Sequence, residues 1–396
     1  MPARLAVVVT HPIQYFSPWF RHIAGCEQIA LKVFYLWDFG VEGQVDPGFQ
    51  VRVQWDVPLL SGYDHEFVPN KSLRPGTDRF MGLWNPSLAG RVRDFRPDAV
   101  LLLGYNFASL LHFIFNWDCR DVPLIFRGDS HRIVKRRGLT EGIRRSLISR
   151  VFGRFAAFLY VGSANLDYFR CHGVPDAKLF RAPHAVDNER FCGETKAAAI
   201  AARQWREALR IPEGNSVVLF AGKFEAKKRP LDLLDAFKRA QIDNASLLFV
   251  GSGPLEAELR AAAATCANIH FAPFQNQTLM PRTYMAGDLF VLPSYGSSET
   301  WGLAVNEAMC MGRPVVVSDH VGCARDLVVP YDNGLIFPAG DVPSLVACLR
   351  EALSDRERLK TWGENGRRKV SEFSYTEATA GLLRALEALG AISAAA

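Results

Sequence analysis

Short apolar runs recur along the chain and alternate with longer stretches of helical periodicity. They are "LAVVVT", "LKVFYLW", "AVLLLG", "PLIFRG", "AFLYVG" and "KLFRAP" before residue 190, and "SVVLFAG", "SLLFVG", "NIHFAP", "LFVLPS", "RPVVVS" and "GLIFP" after it. A run that is apolar at every position has no polar face to offer water, so its strand must be covered on both sides. Helices threaded between such strands build parallel β-α-β units. The expected fold class is therefore α/β, with two doubly wound, Rossmann-like domains. A chain of 396 residues also exceeds what one hydrophobic core usually supports. The break is expected near residue 190, within "HAVDNERFCGETKAAAIAARQWREALRIPEGN", where a helix rich in Ala and Arg ends at Ile211-Pro212. The expected division is 1–190, 191–372 and a C-terminal helix with its tail at 373–396, in which Leu382, Leu383, Leu386 and Leu389 recur at helical spacing.

Composition removes several alternatives. With 49% hydrophobic and 22% charged residues the chain is neither disordered nor fibrous. A net charge of +5 is too small to argue for nucleic acid as a partner, but suits an anionic ligand or membrane surface. The eight cysteines are scattered without C-x-x-C or zinc-ligand spacing, which fits a reducing cytoplasm. The apolar run in "MPARLAVVVTHP" is too short for a signal peptide and reads as a first buried strand. The uncharged segment "AVLLLGYNFASLLHFIFNW" approaches the length of a membrane span, but Gly104, Asn106, Ser109, His112 and Asn116 interrupt it. A buried strand, a turn and a buried helix are expected there instead.

In open parallel sheets ligands bind beyond the carboxyl ends of the strands, where strand order reverses. Two such domains facing each other make a cleft, so the loops that follow strands carry the candidate residues. In "FAGKFEAKKRPLDLLDAF" a strand ends at Gly222 and is followed by Lys223, Lys227, Lys228 and Arg229 before a helix. Cations beside a helix N-terminus suit a diphosphate; a solvated basic turn is the competing reading. "LFVGSGPLEAELR" has Gly251 and Gly253 but lacks the third glycine of a dinucleotide fingerprint, which speaks for a structural turn. "LFVLPSYGSSETWGLAVNEAM" reads as a buried strand, a Ser/Gly loop and a helix starting near Gly302. The amides of Trp301, Gly302 and Leu303 would form its N-terminus, a natural place for phosphate oxygens or sugar hydroxyls. Glu299 precedes that helix and Glu307 lies inside it, where a carboxylate needs strong donors such as a vicinal diol. The competing reading has Glu299 capping the helix and Glu307 in a buried ion pair.

"AGKFEAKKRP", "VGSGPLE", "LFVLPSYGSSETWGLAVNEAMCMGRPVVVSDHVGCARDLV", "DNGLIFPAGDVPSLVACL" and "FSYTEATAGLL" stand together in the order and spacing of one family. Over about residues 160 to 390 the chain resembles the C-terminal domain of the GT-B retaining glycosyltransferases of family four. The resemblance implies an E-x7-E donor site, with Glu299 on the transferred sugar and Glu307 on the ribose. It further implies Lys223 and Lys228 on the nucleotide diphosphate, and "FAPFQNQ" beside the nucleobase. The first domain resembles the family less. Where members often carry a glycine-rich first loop this chain has "THPIQYFSPWF", with His11, Gln14 and Tyr15 as the substitutes. Where a His-Asp pair is common it has "RGDSH", placing Asp129 and His131 near the catalytic positions and Arg127 beside them, against the reading of Arg127 and Asp129 as a structural pair.

The segment "HRIVKRRGLTEGIRRSLISRVFGRF" holds eight Lys or Arg against one Glu, with Leu139, Ile143, Leu147, Val151 and Phe155 at helical spacing. Such a helix at 131–155 either lies on anionic lipid at the inner face of the membrane or packs, solvated, on the sheet. The chain contains no D-x-D, so no metal is expected and the lysines must neutralise the leaving diphosphate. Retaining transfer of a sugar from a nucleoside diphosphate sugar, a co-substrate with no further cofactor, is the expected function. The acceptor would be a glycan, a lipid-linked molecule or a small molecule, in polysaccharide, lipopolysaccharide or other glycoconjugate synthesis. A sugar-nucleotide epimerase of the same fold and a non-catalytic sugar-nucleotide or glycan-binding protein remain the alternatives, while a nicotinamide dehydrogenase lacks a full G-x-G-x-x-G.

Overall fold

The structure is a computed structural model that describes residues 1–41, 43–46, 48–118, 120, 122–134 and 139–393, without the side chains of residues 44–46, 53, 139 and 140. Its strands are β1 (Ala3–Val9), β2 (Ile29–Tyr35), β3 (Gln44–Asp46), β4 (Val51–Val53), β5 (Asp64–Phe67), β6 (Ala99–Leu103), β7 (Leu124–Arg127), β8 (Ala157–Tyr160), β9 (Leu179–Arg181), β10 (Ser216–Ala221), β11 (Ala245–Val250), β12 (Ile269–Ala272), β13 (Leu289–Leu292), β14 (Val315–Ser318) and β15 (Gly334–Phe337). They form a seven-stranded sheet ordered β5-β2-β1-β6-β7-β8-β9 and a six-stranded sheet ordered β12-β11-β10-β13-β14-β15, with β3 and β4 paired apart. Neighbours in both large sheets run parallel. Every residue of β6, β10, β11, β13 and β14 is buried, as runs apolar on both faces require.

The chain divides into two compact units: 1–44, 57–184 and 375–396 make the first, and 45–56 with 185–374 make the second. The first sheet is covered on both sides. One face packs Phe113, Ile114, Phe126, Phe152 and Phe158 with the helices Ala108–Asn116 and Leu139–Phe152. Residues 99–117 are accordingly β6, a turn and a helix that buries Leu110, Phe113 and Ile114. The other face packs Leu5, Val7, Trp19 and Leu101 against Ala378, Leu382, Ala385 and Leu386 of the C-terminal helix Tyr375–Ala388. That helix is therefore part of the first core. Trp19 Nε1 donates to Thr379 Oγ1 at 3.1 Å, and Tyr375 Oη donates to the Tyr15 carbonyl at 3.0 Å.

The basic helix departs from its expected apolar stripe. Ile148, Val151, Phe152 and Phe155 are buried, whereas Ile143 and Leu147 are 65% and 62% exposed. The helix spans Leu139–Phe152, and Phe152 packs on Phe126 and Phe158 with ring centres 5.2 Å apart in each case; residues 135–138 and the Leu139 side chain, part of the expected stretch, lie outside the described residues. Among the described residues no helix is long and apolar enough to cross a membrane.

Truncating Leu382 to Ala should cost about 2–5 kcal/mol, the usual penalty for a cavity beneath a fully buried leucine. Amide exchange should accelerate in β1, β6 and β8 and stay unchanged in β10–β15. Acceleration confined to the second sheet would show that the last helix is not part of the first core.

Candidate active site

Strand order in the second sheet reverses between β10 and β13, since β10, β11 and β12 step one way and β13, β14 and β15 the other. The crevice beyond the carboxyl ends of β10 and β13 is the switch point, where ligands of such sheets bind. The loop after β10 ends in a short 3₁₀ turn, Ala226–Lys228, and Arg229, at φ 52°, turns the chain into the helix Pro230–Ala240. The loop after β13 carries Glu299 and ends at the helix Leu303–Cys310. A backbone bond from Tyr295 N to the Lys227 carbonyl, 2.8 Å, ties the two loops together.

Lys228 Nζ is paired with Glu299 Oε2, and the two side chains are only 18% and 14% exposed. Ser294 Oγ donates to the same carboxylate oxygen at 3.0 Å. The backbone around Glu299 is laid against the loop after β14: Gly322 N donates to the Glu299 carbonyl at 3.1 Å and Cys323 N to the Trp301 carbonyl at 2.9 Å. Only glycine fits at 322, because a Cβ there would stand 1.8 Å from the Thr300 carbonyl oxygen. Gly302 is the N-cap residue at φ 95°, a left-handed conformation that side chains resist, and a Cβ would also meet Val321 at 2.8 Å. Trp301 turns inward, 3% exposed, with its Nε1 donating to Asn306 Oδ1 at 2.9 Å. The indole therefore locks the helix start, and the polar face of the loop is left to Glu299.

Glu307 is in a different environment. It is 1% exposed inside the helix, and Tyr284 Oη, fully buried, donates to its Oε2 at 2.7 Å. Lys223, on the same loop as Lys228, has its ammonium 4.8 Å from the centre of the Phe49 ring. Among the described residues of the site, sequence reading missed Ser294, Tyr284 and Gly322. Ser294 and Gly322 lie within the motif stretches but have no distinguishing spacing, and Tyr284 lies outside them.

In the first unit Arg127, Asp129 and His184 form a second polar group. Arg127, at the end of β7 and 4% exposed, donates to the carbonyls of Ala182 at 2.6 Å and Pro183 at 3.1 Å, and lies 4.5 Å over the Trp19 ring. Burial holds its pKa down, at about 10. Asp129 Oδ2 faces His184 Nε2 at 3.7 Å, a partner that sequence spacing could not reveal across 55 residues. Burial lowers the His184 pKa, and Asp129 opposes the shift in part. His131 Nδ1 accepts from Ile133 N at 3.3 Å. His11, after β1, lies 3.0 Å through Nδ1 from Thr10 Oγ1 and edge-on to Trp37 and Phe39; burial lowers its pKa to about 4. Gln14 is half-buried, and the Tyr15 carbonyl holds the Tyr375 hydroxyl.

Comparison with known proteins gives the family and the fold. The model of the family "Glycosyl transferases group 1" matches residues 201–369. A D-inositol 3-phosphate glycosyltransferase of Salinispora tropica is 30% identical over 419 residues, covering 97% of this chain and 85% of that protein. The sulfoquinovosyl transferase SQD2 of Arabidopsis thaliana is 32% identical over 167 residues, 41% of this chain. The matched region spans 31% of that protein's length, and 65% of the length of a D-inositol 3-phosphate glycosyltransferase of Geodermatophilus obscurus that is 29% identical over 71% of this chain. Among solved structures, a sucrose-phosphate synthase from Thermosynechococcus elongatus has a TM-score of 0.73 at 18% identity, covering 98% of this chain and 99% of its own. Anabaena Alr3699/HepE in complex with UDP and glucose has a TM-score of 0.69 at 16% identity, covering 97% and 99%. The fold is GT-B.

The His11 environment sets a pH dependence. Above about pH 6.5 the imidazole is neutral in folded and unfolded chains alike; between about 6.5 and about 4 only the unfolded chain binds the proton. Stability from this group is thus full above pH 6.5, is lost as pH falls toward 4, and levels off below. The difference in denaturation midpoint between wild type and His11→Gln should shrink through that window on acidification. A difference that is constant with pH would show that His11 is not buried as a neutral ring.

Proposed function

Because the chain belongs to the glycosyl transferases of group 1, we propose that it moves a glycosyl unit from a nucleoside diphosphate sugar to an acceptor hydroxyl with retention at the anomeric carbon. The observation that carries this reading is the Lys228–Glu299 pair at the switch point of the second sheet, beside the N-terminus of Leu303–Cys310. A cation, a carboxylate and a helix N-terminus within one crevice match a ligand that is anionic at one end and rich in hydroxyls at the other. The relatives named as glycosyltransferases, and the like-folded protein solved with UDP and glucose, support the same ligand class.

In this scheme Lys223 and Lys228 take the diphosphate oxygens, with the amides of Trp301, Gly302 and Leu303 at the helix start. Glu299 then accepts from hydroxyls of the sugar, and Glu307, oriented by Tyr284, accepts from the ribose. Donor binding exchanges the Lys228–Glu299 contact for contacts to the ligand, so each charge keeps a partner and no bare ion is created in a half-dry loop. The acceptor oxygen attacks the anomeric carbon on the face of the departing group. The bond to the diphosphate breaks with its electron pair, and a phosphate oxygen takes the acceptor's proton. No metal or further cofactor enters: the two lysines and the helix dipole stabilise the leaving charge. In the first unit the catalytic assignment goes to Asp129 and His131, and donor or acceptor binding to His11, Gln14, Tyr15 and Arg127.

The acceptor we assign is a glycan, a lipid-linked molecule or a small molecule in glycoconjugate synthesis, used in the cytoplasm at the inner face of the membrane. Support comes from the helix Leu139–Phe152, where exposed Ile143 and Leu147 stand beside exposed Arg144 and Arg145. Apolar side chains flanked by arginines on one exposed turn suit the headgroup region of an anionic bilayer.

Lys228→Ala should lower kcat/KM for the donor by about 100-fold, the usual scale for removing one preorganised charge stabiliser. The test is a donor panel of UDP-, GDP-, ADP- and dTDP-sugars with product analysis. Conversion of the donor to an isomer without acceptor would replace transfer by epimerisation, and a variant with the wild-type rate would remove Lys228 from the site. Separately, Ile143→Asp with Leu147→Asp should abolish co-flotation with vesicles containing about 30% anionic lipid, a mixture rich enough to attract a polybasic helix. Equal flotation of variant and wild type, or none by either, would dissociate the helix from the membrane.

A further inference from the structure

The scattered cysteines show no pairing in the sequence, yet the fold brings Cys192 and Cys310 together across 118 residues. Cys192 sits on the short helix Asn188–Gly193, which its other residues pin in place. Asn188 Nδ2 donates to the carbonyls of Val370 at 3.2 Å and Phe373 at 3.3 Å, and Arg190 Nη1 donates to the Gln277 carbonyl at 2.9 Å. The buried Phe191 ring stands 6.3 Å from that of Tyr284. Held this way, the helix lays Cys192 Sγ 3.7 Å from the Cys310 carbonyl oxygen. Cys310 is the last residue of Leu303–Cys310, the helix that carries Glu307. Cys192 is exposed and Cys310 is fully buried, so an oxidant in solution meets the first and not the second. A cation stands close by. Arg367, on the helix Arg356–Val370, packs its guanidinium against the turn after Cys310, where a Cβ on Gly312 would stand 2.9 Å from Nη2. The hydrogen bond from the Cys310 thiol and the Arg367 charge hold the Cys192 pKa down, at about 6, while that same bond and burial push Cys310 well above the ordinary thiol range.

We propose that Cys192 and Cys310 form a peroxide-responsive thiol pair, in which Cys192 is the attacking sulfur and Cys310 resolves it into a disulfide. The inference stands apart from the donor reading and needs no sugar nucleotide. The Cys192 thiolate attacks one oxygen of hydrogen peroxide: the S–O bond forms, the O–O bond breaks, and hydroxide leaves a sulfenic acid behind. The Cys310 sulfur then attacks that of Cys192. The S–S bond forms, the S–O bond breaks, and the departing hydroxide takes the Cys310 proton to become water. Two electrons pass from the thiols to the peroxide, and a thiol reductant returns them by exchange. The two roles follow from the two environments. An exposed thiolate beside a guanidinium meets the oxidant, whereas a buried, protonated thiol is shielded from every oxidant but the sulfenic acid next to it. The bond would fasten Asn188–Gly193 to the last turn of the helix that holds Glu307.

The test is peptide mapping of the reduced full chain after brief exposure to a small excess of hydrogen peroxide at neutral pH. Free thiols are then alkylated, and the unreduced chain is cut with trypsin and with the endoprotease that cleaves before Asp. Each sulfur then lies in a peptide without a second cysteine, 191–196 and 288–318, and the expected product is these two joined with the loss of two hydrogens. Cys310→Ser should instead leave a sulfenic acid on 191–196, captured by dimedone, and Cys192→Ser should leave the Cys310 thiol of 288–318 unoxidised. Before any peroxide is added, iodoacetamide should label Cys192 about 10-fold faster than Cys26, whose pKa burial raises, because the thiolate is the nucleophile. Equal labelling of the two, or a Cys192 that stays reduced while other cysteines oxidise, overturns its role as the attacking sulfur. Oxidised Cys192 that does not join 288–318 in wild type overturns Cys310 as its partner. Both results are read on wild type, so a variant that fails to fold does not hide the answer.

Discussion

An ammonium and a carboxylate held at 18% and 14% exposure must satisfy each other, because removing one partner of a largely buried pair commonly costs about 3–5 kcal/mol. The Lys228–Glu299 contact is therefore the constraint around which the second unit is arranged. It requires two loops from strands that are neighbours in space but far apart in sequence, which only the reversal of order between β10 and β13 supplies. It also requires that the Glu299 loop cannot drift. The Gly322 and Cys323 amides, the inward Trp301 indole and the left-handed Gly302 all serve that end. Rigidity in this loop is produced by backbone hydrogen bonds and by the buried indole.

Much of the fold could be read because buried parallel strands carry their signature locally. All the apolar runs became strands, and β10, β11, β13 and β14 are buried at every position. β5 escaped because "DHEF" sits at a sheet edge, where Lys32 pairs with Glu66 at 3.1 Å and charge is tolerated on the strand. Residues 45–56 escaped for a related reason: their order comes from docking, with Ser252 on the Phe49 carbonyl, Asn276 on the Gln54 carbonyl and Thr278 on Asp56, and a segment without a core of its own has no period to display. The basic helix misled in a third way, since five apolar residues at helical spacing do not say which of them face the sheet; Ile143 and Leu147 do not.

The site was legible in the same uneven manner. Lys228 and Glu299 lie in motif stretches that can be aligned by eye, and the fold brings them together. His184 could not be found that way. Its relation to Asp129 is made by β9 returning beside β8, with Arg127 gripping the Ala182 and Pro183 carbonyls to set the turn. A residue whose role is created by tertiary contact leaves no spacing to detect. Arg127 shows the same limit: its hold on the Ala182 and Pro183 carbonyls is a tertiary contact that no spacing in the sequence displays.

Glu299 and Glu307 show what position relative to a helix does to one chemical group. Before the helix, the carboxylate keeps some contact with solvent and is paired with an ammonium. Inside the helix, the second carboxylate is shut from water and receives a phenolic hydrogen bond, a weaker stabiliser of charge than an ammonium. In the donor complex proposed above, a ligand reaching both would meet two different acceptors: one that must first release a cation, and one whose orientation is fixed by a buried tyrosine. The first is suited to contacts that change as a bond breaks. The second is suited to contacts that must stay put, and a single glutamate in either place could not serve both needs.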